Sequence, residues 1–354
     1  MIKKIELQNF RNFKKIIFEF SPKITVIVGP NASGKTNVLE SLHLLSTGKS
    51  FKAKLEEEVI QYDADIGRVG GVVVGEEETS TTLEAVITRG KINIGAARPE
   101  IVPRKKLLVN GVPRRMIDFS GNFRTVLFGP WDLDLVTESP SIRRKFLDTV
   151  LGQVDREYRR SALSYEKGLR QRNRVLWDMR EGNIGPDRLL FWNQLLIKNG
   201  NYITEKRGEF IDFVNSLEFE INGLKLNISY DKSVISESRL EQYKEEEVSA
   251  ATTLVGPHRD DFAFNKGERS LSSYGSRGEQ RMGVLWLKMA ELSFIEEKNS
   301  ARPTLLLDDI FSELDEEHKK VVMDIALKQQ TIITSVDDEF AKELKKVERI
   351  ELMG

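Results

Sequence analysis

Ile24-Thr25-Val26-Ile27-Val28 runs directly into Gly29-Pro30-Asn31-Ala32-Ser33-Gly34-Lys35-Thr36. The first five residues read as a short buried strand. The next eight match G-x-x-x-x-G-K-[ST] at every specified position. Behind them Val38, Leu39, Leu42 and Leu45 recur at helical spacing, and Gly48 marks the helix end. Strand, glycine loop and helix in that order are the context the motif requires. Glycines let backbone N–H groups curl toward phosphate oxygens, and the helix N-terminus favours negative charge. Lys35 is then expected to neutralise β- and γ-phosphate charge, and the Thr36 hydroxyl to ligate Mg2+. Residues Gly29 through Thr36, with Asn37, form a candidate ATP cradle.

Far downstream, Thr304-Leu305-Leu306-Leu307 is an apolar strand ending in Asp308-Asp309. Open α/β sheets bind ligands at the carboxyl ends of such strands. Asp308 is expected to hold Mg2+, and Asp309 to orient the attacking water, which makes Asp309 and Lys35 the catalytic candidates. Aspartate at the second position is shorter than the usual glutamate, and slow turnover is expected.

Between these motifs the pattern changes twice. Ile2–Phe20 reads as two antiparallel strands joined near Asn9–Asn12, and β-rich runs recur from Val69 to Ile94. Asn110-Gly111 closes a hairpin, because both turn positions need positive φ. Val126–Phe128 reads as another strand. Ser139-Pro140 is a helix start, opening a helical region to about Arg180 that Gly152 is expected to break. A turn at Gly182–Pro186 leads to a second helical region up to Leu217, so the pair is expected to pack antiparallel. Leu224–Tyr230 alternates as a strand expected to return the chain to the sheet domain. Helix 278–297, strand 304–307, helix 316–329, strand 331–334, a short helix and a strand near 347–352 complete the chain. The fold class expected is α/β: a P-loop ATPase head built from both ends of the chain around an inserted α-helical lobe. The segments are 1–138 (head), 139–220 (lobe) and 221–354 (head).

Composition narrows the partners. At 40% hydrophobic and 31% charged the chain reads as a soluble globular protein. With no cysteine it has neither disulfides nor thiolate metal sites. No apolar run serves as a secretory leader or approaches the roughly 18 residues of a membrane span, so a cytoplasmic protein is expected. Net charge is −1, but residues 98–124 hold seven bases against two acids and residues 141–180 eleven against five. Acid collects at Glu56–Glu58, Glu76–Glu78 and Glu245–Glu247. The segregated bases give DNA-contact candidates: Arg104, Lys105, Lys106, Arg114 and Arg115, then Arg143, Arg144, Arg159, Arg160, Arg170, Arg172 and Arg174. Backbone-neutralising bases imply little sequence preference and steep salt dependence.

Several longer strings carry a resemblance. Ser276-Arg277-Gly278-Glu279-Gln280 is similar to the ABC signature. Asp308 to Asp315 resembles a Walker B strand running into a D-loop with Ser312 and Asp315. A helical insert separating phosphate loop and acids resembles the ABC-type heads of SMC proteins. Asn9–Phe13, Phe128–Val136 with Ser139–Asp148, and Gly256-Pro257-His258-Arg259-Asp260-Asp261 narrow this to the RecF family, over nearly the whole chain. The resemblance implies an ATP-dependent homodimer and a weak, DNA-stimulated ATPase. It also implies binding to double-stranded and gapped DNA, and loading of RecA with RecO and RecR. In the ABC scheme one subunit's signature reaches the other subunit's ATP, and Arg11 and Asn12 lie near the nucleotide. Asp260-Asp261 is expected to tie down Arg259, as a junction between lobe and head. Ala32, Arg277 and Ser335 stand where glycine, glycine and histidine are usual. A transporter ATPase subunit and a non-hydrolysing nucleotide scaffold are the alternatives.

Overall fold

The computed structural model describes residues 1–75, 79–92, 100–182, 184–217, 225–336 and 347–353. The chain forms two compact units, Met1–Trp131 with Ile295–Gly354, and Asp132–Phe294.

In the first unit β3 (Ile24–Val28) is buried at every position, as a strand covered on both faces must be. It lies in an all-parallel sheet with β10 (Thr125–Phe128), β14 (Thr304–Asp308), β15 (Thr331–Ser335) and β16 (Glu348–Glu351), in the order β10-β14-β15-β3-β16. A second, antiparallel sheet contains β1 (Ile2–Phe10), β2 (Phe13–Glu19), β4 (Ile66–Val74), β5 (Ser80–Thr88), β8 (Lys105–Val109) and β9 (Val112–Arg114), in the order β2-β1-β4-β5-β8-β9. A small ribbon, β6 (Lys91–Ile92) with β7 (Glu100–Ile101), stands apart. Helix α1 (Lys35–Thr47) touches strands of both sheets. It therefore buries residues all round rather than along one stripe, and ends on Gly48 at φ 73°. Asn110 (φ 51°) and Gly111 (φ 74°) turn the chain between β8 and β9 as expected. Gln330 joins the two ends of the chain: its Oε1 accepts from Ile2 N (2.8 Å) and its Nε2 donates to Ile2 O (2.6 Å) and Ser21 O (2.9 Å). Helices α2 (Met116–Phe119) and α11 (Glu316–Ala326) complete the described part. The short helix expected after Thr334 lies outside the described residues.

In the second unit, after α3 (Asp134–Thr137), come α4 (Pro140–Val154), α5 (Arg156–Arg180) and α6 (Leu190–Ser216). Contacts Arg172–Asn193 and Tyr158–Arg207 show that α5 and α6 run antiparallel. The helical region breaks at Asp155, not at Gly152. Asp155 Oδ1 accepts from Glu157 N and Tyr158 N and so starts α5, whereas Gly152 stays helical. Ser139 occupies the cap position of α4, but its hydroxyl meets Ser141 Oγ (2.7 Å) instead of the backbone.

Strand β11 (Leu226–Asp231) does not return the chain to the main sheet. It pairs with β12 (Asp261–Lys266), and β12 with β13 (Arg269–Ser270), in a sheet of their own that packs on α6 and α4. Helices α7 (Glu237–Gln242), α8 (Lys244–Ala250) and α9 (Leu271–Tyr274) and most of α10 (Arg277–Asn299) belong to this unit, which runs on to Phe294 rather than ending near 220. Among the described residues no helix is long and apolar enough to cross a membrane.

Candidate functional site

The phosphate loop lies between β3 and α1. Gly34 (φ 105°) and Ala32 (φ 66°) are both left-handed, the kind of backbone turn from which anion-binding nests are built, and Ser33 N donates to Pro30 O (3.3 Å) across the loop. A side chain at Gly34 is excluded twice, by φ and by the Asn12 amide, whose atoms lie 2.6–2.7 Å from where a Cβ would stand. Ala32 tolerates its position at a cost of roughly 1–2 kcal/mol, the strain of a left-handed L-residue. Lys35 Nζ donates to Gly29 O (2.7 Å) and Pro30 O (2.9 Å). Burial pulls its pKa down, and Asp309 and Asp308 oppose that. Pro30, Asn31 and Ala32 are exposed; Ser33, Gly34 and Lys35 are buried.

The two distant motifs meet in the first unit. Thr36 Oγ1 lies 3.1 Å from Asp308 Oδ1. Asp308 ends β14, one strand away from β3, and the strand between them supplies Thr334, whose hydroxyl donates to the same Oδ1 at 2.6 Å. Sequence reasoning missed Thr334; only the pairing of β14 with β15 puts it opposite Asp308. Asp309 adopts φ 49°, and its N–H donates to Thr334 O and Oγ1. Ser335, at the expected histidine position, is buried at the end of β15.

The hairpin between β1 and β2 closes on this loop. Asn12 Nδ2 donates to Ser33 O (3.0 Å), and Asn12 Oδ1 accepts from Asn37 Nδ2 (2.9 Å). Arg11 does not point its charge at the loop. Its guanidinium grips Glu40 through Nε (2.8 Å) and Nη2 (2.6 Å) and donates to Glu58 O (2.7 Å). Glu40 is fully buried on α1 and also escaped the sequence reading.

A triphosphate and Mg2+ fit what is present. Ser33 Oγ is buried without a partner among the described residues, a donor aimed at no protein acceptor. Thr36 and Asp308 supply neighbouring oxygens, and few protein oxygens suffice for Mg2+ at a phosphate site.

A family profile described as the RecF/RecN/SMC N terminal domain matches residues 1–353. The DNA replication and repair protein RecF of Herpetosiphon aurantiacus is 34% identical over 365 residues, covering 96% of this chain and 94% of the relative. That of Halalkalibacterium halodurans is 36% identical, covering 95% and 92%. The chain belongs to the RecF family. Two solved structures of the recombination mediator protein RecF in the RecFOR pathway, one RecF-ATPrS and one RecF-ATP, match with TM-score 0.85 and 31% identity. They cover 96% and 95% of this chain, and it covers 93% and 92% of theirs. The Smc head domain of Pyrococcus furiosus, at TM-score 0.52 and 16% identity, shares the fold alone.

Within this RecF-family chain the remaining candidates separate by burial. Ser276 and Glu279 form a capping box at the start of α10: Ser276 N donates to Glu279 Oε2 (2.8 Å), and Glu279 N to Ser276 Oγ (3.2 Å). Hydrogen bonds from Lys266 and Ser276 hold the Glu279 carboxyl down to about 2. Ser276, Arg277 and Gly278 are exposed. Gln280 is not: its side chain is buried and donates to Leu271 O, so it serves the fold of its own unit. In the D-loop, Ser312 Oγ donates to Asp309 O (2.7 Å), and Asp315 caps α11 through His318 N (3.0 Å).

The basic candidates need correction. Arg172 is 1% exposed and bound by Glu247, Thr253 and Asn193. Arg143 is buried and grips Asp261. Neither reaches a phosphate backbone. Arg144 and Arg159 donate to the carbonyls of Asp260 and Gly152, and Lys105 is drawn to Glu56 and Gly48 O. Arg104, Arg160 and Arg170 are exposed but face Glu57, Glu157 and Glu166. Lys106, Arg114, Arg115 and Arg174 are exposed.

Asp260 and Asp261 do not bind Arg259, whose Nη2 donates to Thr253 O. Asp260 accepts from Arg207, Tyr230 and Ser233 N, and Asp261 from Arg143. His258 Nδ1 meets Tyr165 Oη at 2.8 Å, and a Cβ on Gly256 would stand 2.2 Å from that hydroxyl. This string therefore joins α4, α5, α6 and β11 inside the second unit.

Proposed function

We propose that this chain is an ATP-switched DNA-binding protein of recombinational repair, active as a homodimer. The observation that carries the reading is the approach of Thr36 to Asp308 across 272 positions of sequence. In this reading the loop N–H groups, Ser33 Oγ and Lys35 bind the ATP phosphates. Thr36 and Asp308 would hold Mg2+, which would supply positive charge to the phosphates. Thr334 fixes the rotamer of Asp308. Asp309 orients the attacking water and accepts its proton as the water oxygen bonds the γ-phosphorus and the bond from that phosphorus to the ADP oxygen breaks; the short aspartate arm keeps turnover slow.

The exposed Ser276–Gly278 turn, held by its capping box, presents helix-terminal N–H groups to the γ-phosphate bound by the other subunit. ATP then bridges the subunits, and hydrolysis lets them part. Lys106, Arg114, Arg115 and Arg174 head the set that contacts double-stranded or gapped DNA through its backbone. The names of the curated relatives and of the RecFOR structures support a role in repair alongside RecO and RecR; loading of RecA is what the family resemblance adds to this reading.

Sedimentation with a non-hydrolysable ATP analogue and Mg2+, with and without gapped DNA, tests this. Wild type is expected to shift to a dimer and bind DNA in a salt-sensitive way, and Lys35→Met to stay monomeric. Equal dimerisation of both proteins ends the switch reading.

A further inference from the structure

We infer that Glu40 is a positioning residue for nucleotide binding: buried on α1, it locks the Arg11–Asn12 hairpin tip so that Asn12 forms one wall of the phosphate loop. The inference rests on the nucleotide reading above. Glu40 is 0% exposed and would be costly to bury unpaired. Both its oxygens are used. Oε2 accepts from Arg11 Nε, and Oε1 from Arg11 Nη2 and from Ser50 Oγ (2.5 Å). A planar guanidinium held at two points and anchored by a third bond to Glu58 O has little freedom left.

That rigidity is needed because the tip is strained. Asn9 (φ 48°) and Arg11 (φ 53°) are both left-handed without being glycine. Released from Glu40, Arg11 has reason to relax, and the next residue moves with it. Asn12 is the only hairpin side chain among the described residues shown hydrogen-bonded to the loop. It gives a donor to Ser33 O, takes one from Asn37 Nδ2, and abuts Gly34. The Ser33 hydroxyl and the Gly34 N–H are the groups that face phosphate in this reading. Glu40 itself lies a turn and a half along α1 from Lys35, and among the described residues its side chain bonds Arg11 and Ser50 rather than the loop.

The test is a double-mutant cycle read as affinity for a fluorescent ATP analogue with Mg2+, measured well below the melting temperature of each protein. Glu40→Gln, which keeps shape but loses charge, is expected to weaken binding about tenfold, equivalent to about 1.4 kcal/mol. Asn12→Ala is expected to weaken the wild type similarly but to add little in the Glu40→Gln background. Arg11→Lys, nearer the surface, retains one contact and is expected to fall between wild type and Glu40→Gln; it also serves if Glu40→Gln does not fold. Wild-type affinity in Glu40→Gln or Arg11→Lys overturns the inference, as do fully additive losses, because a merely structural role lowers stability and leaves affinity in place. Failure of the wild type to bind the analogue would instead overturn the nucleotide reading itself.

Discussion

At the scale of single residues, the site depends on side chains whose neighbours are far away in sequence. Thr334 shows this most directly. Its hydroxyl donates to Asp308 Oδ1 at 2.6 Å in a buried setting, a charge-assisted bond. Thr334→Val keeps the volume and removes the donor. It is expected to cost about 2 kcal/mol, the range for hydrogen bonds to charged groups. Because Asp308 is then free to turn, half-saturation of the ATPase should need more Mg2+. Urea unfolding and a Mg2+ titration check this, and an unchanged Mg2+ response would show that Thr334 does not orient Asp308. Asp308, Lys35 and Thr36 were readable because each lies in a local motif with a known chemical demand. Thr334 and Glu40 were not. A threonine in a buried strand and a glutamate between Leu39 and Ser41 have no signature until partners arrive from β14 and from the hairpin tip.

At the scale of elements, local chemistry set the strands and most helix ends, and missed where caps depend on packing. Gly152 is a weak helix former, yet it stays helical, because Asp155 offers what a helix start requires. Its Oδ1 takes two backbone donors at 2.8 and 3.0 Å, and its Oδ2 takes Tyr202 Oη at 2.8 Å. Asp155→Ala is therefore expected to destabilise the protein by about 1–2 kcal/mol, and Asp155→Asn by much less, since an amide oxygen still caps. Thermal or urea unfolding distinguishes them; equal losses would mean that the negative charge matters rather than the cap. Strand β11 was legible as a strand, but not its partner. Alternation along Leu226, Ile228 and Tyr230 specifies one apolar face and leaves open which sheet receives it.

At the scale of the whole molecule, each unit carries its own buried charge, and two groups in the second unit respond to acid in opposite senses. Burial depresses His258 to about 4 from 6.5. The unfolded chain then binds more protons between those values, so this contribution to stability is lost as pH falls from 6.5 toward 4. Burial pushes Glu291 up to about 7 from 4.5. Here the folded chain binds more protons, and its contribution is present below 4.5 and lost as pH rises through 7. Between pH 7 and 4.5, His258→Gln should therefore lose less stability than wild type, and Glu291→Gln more. Parallel urea titrations of the three proteins against pH would expose an error in either sign. By itself the sequence determined the phosphate loop, the acidic strand, the antiparallel hairpins and the family, because each is written in contiguous residues whose backbone or chemical needs are local. Only the tertiary structure decided that Arg143 and Arg172 are internal struts rather than surface charge, that β11 builds a separate sheet, that Thr334 reaches Asp308 and that Glu40 holds Arg11. Burial and pairing are properties of residues brought together from distant positions, and a linear pattern does not encode which distant carboxylate will reach an arginine first.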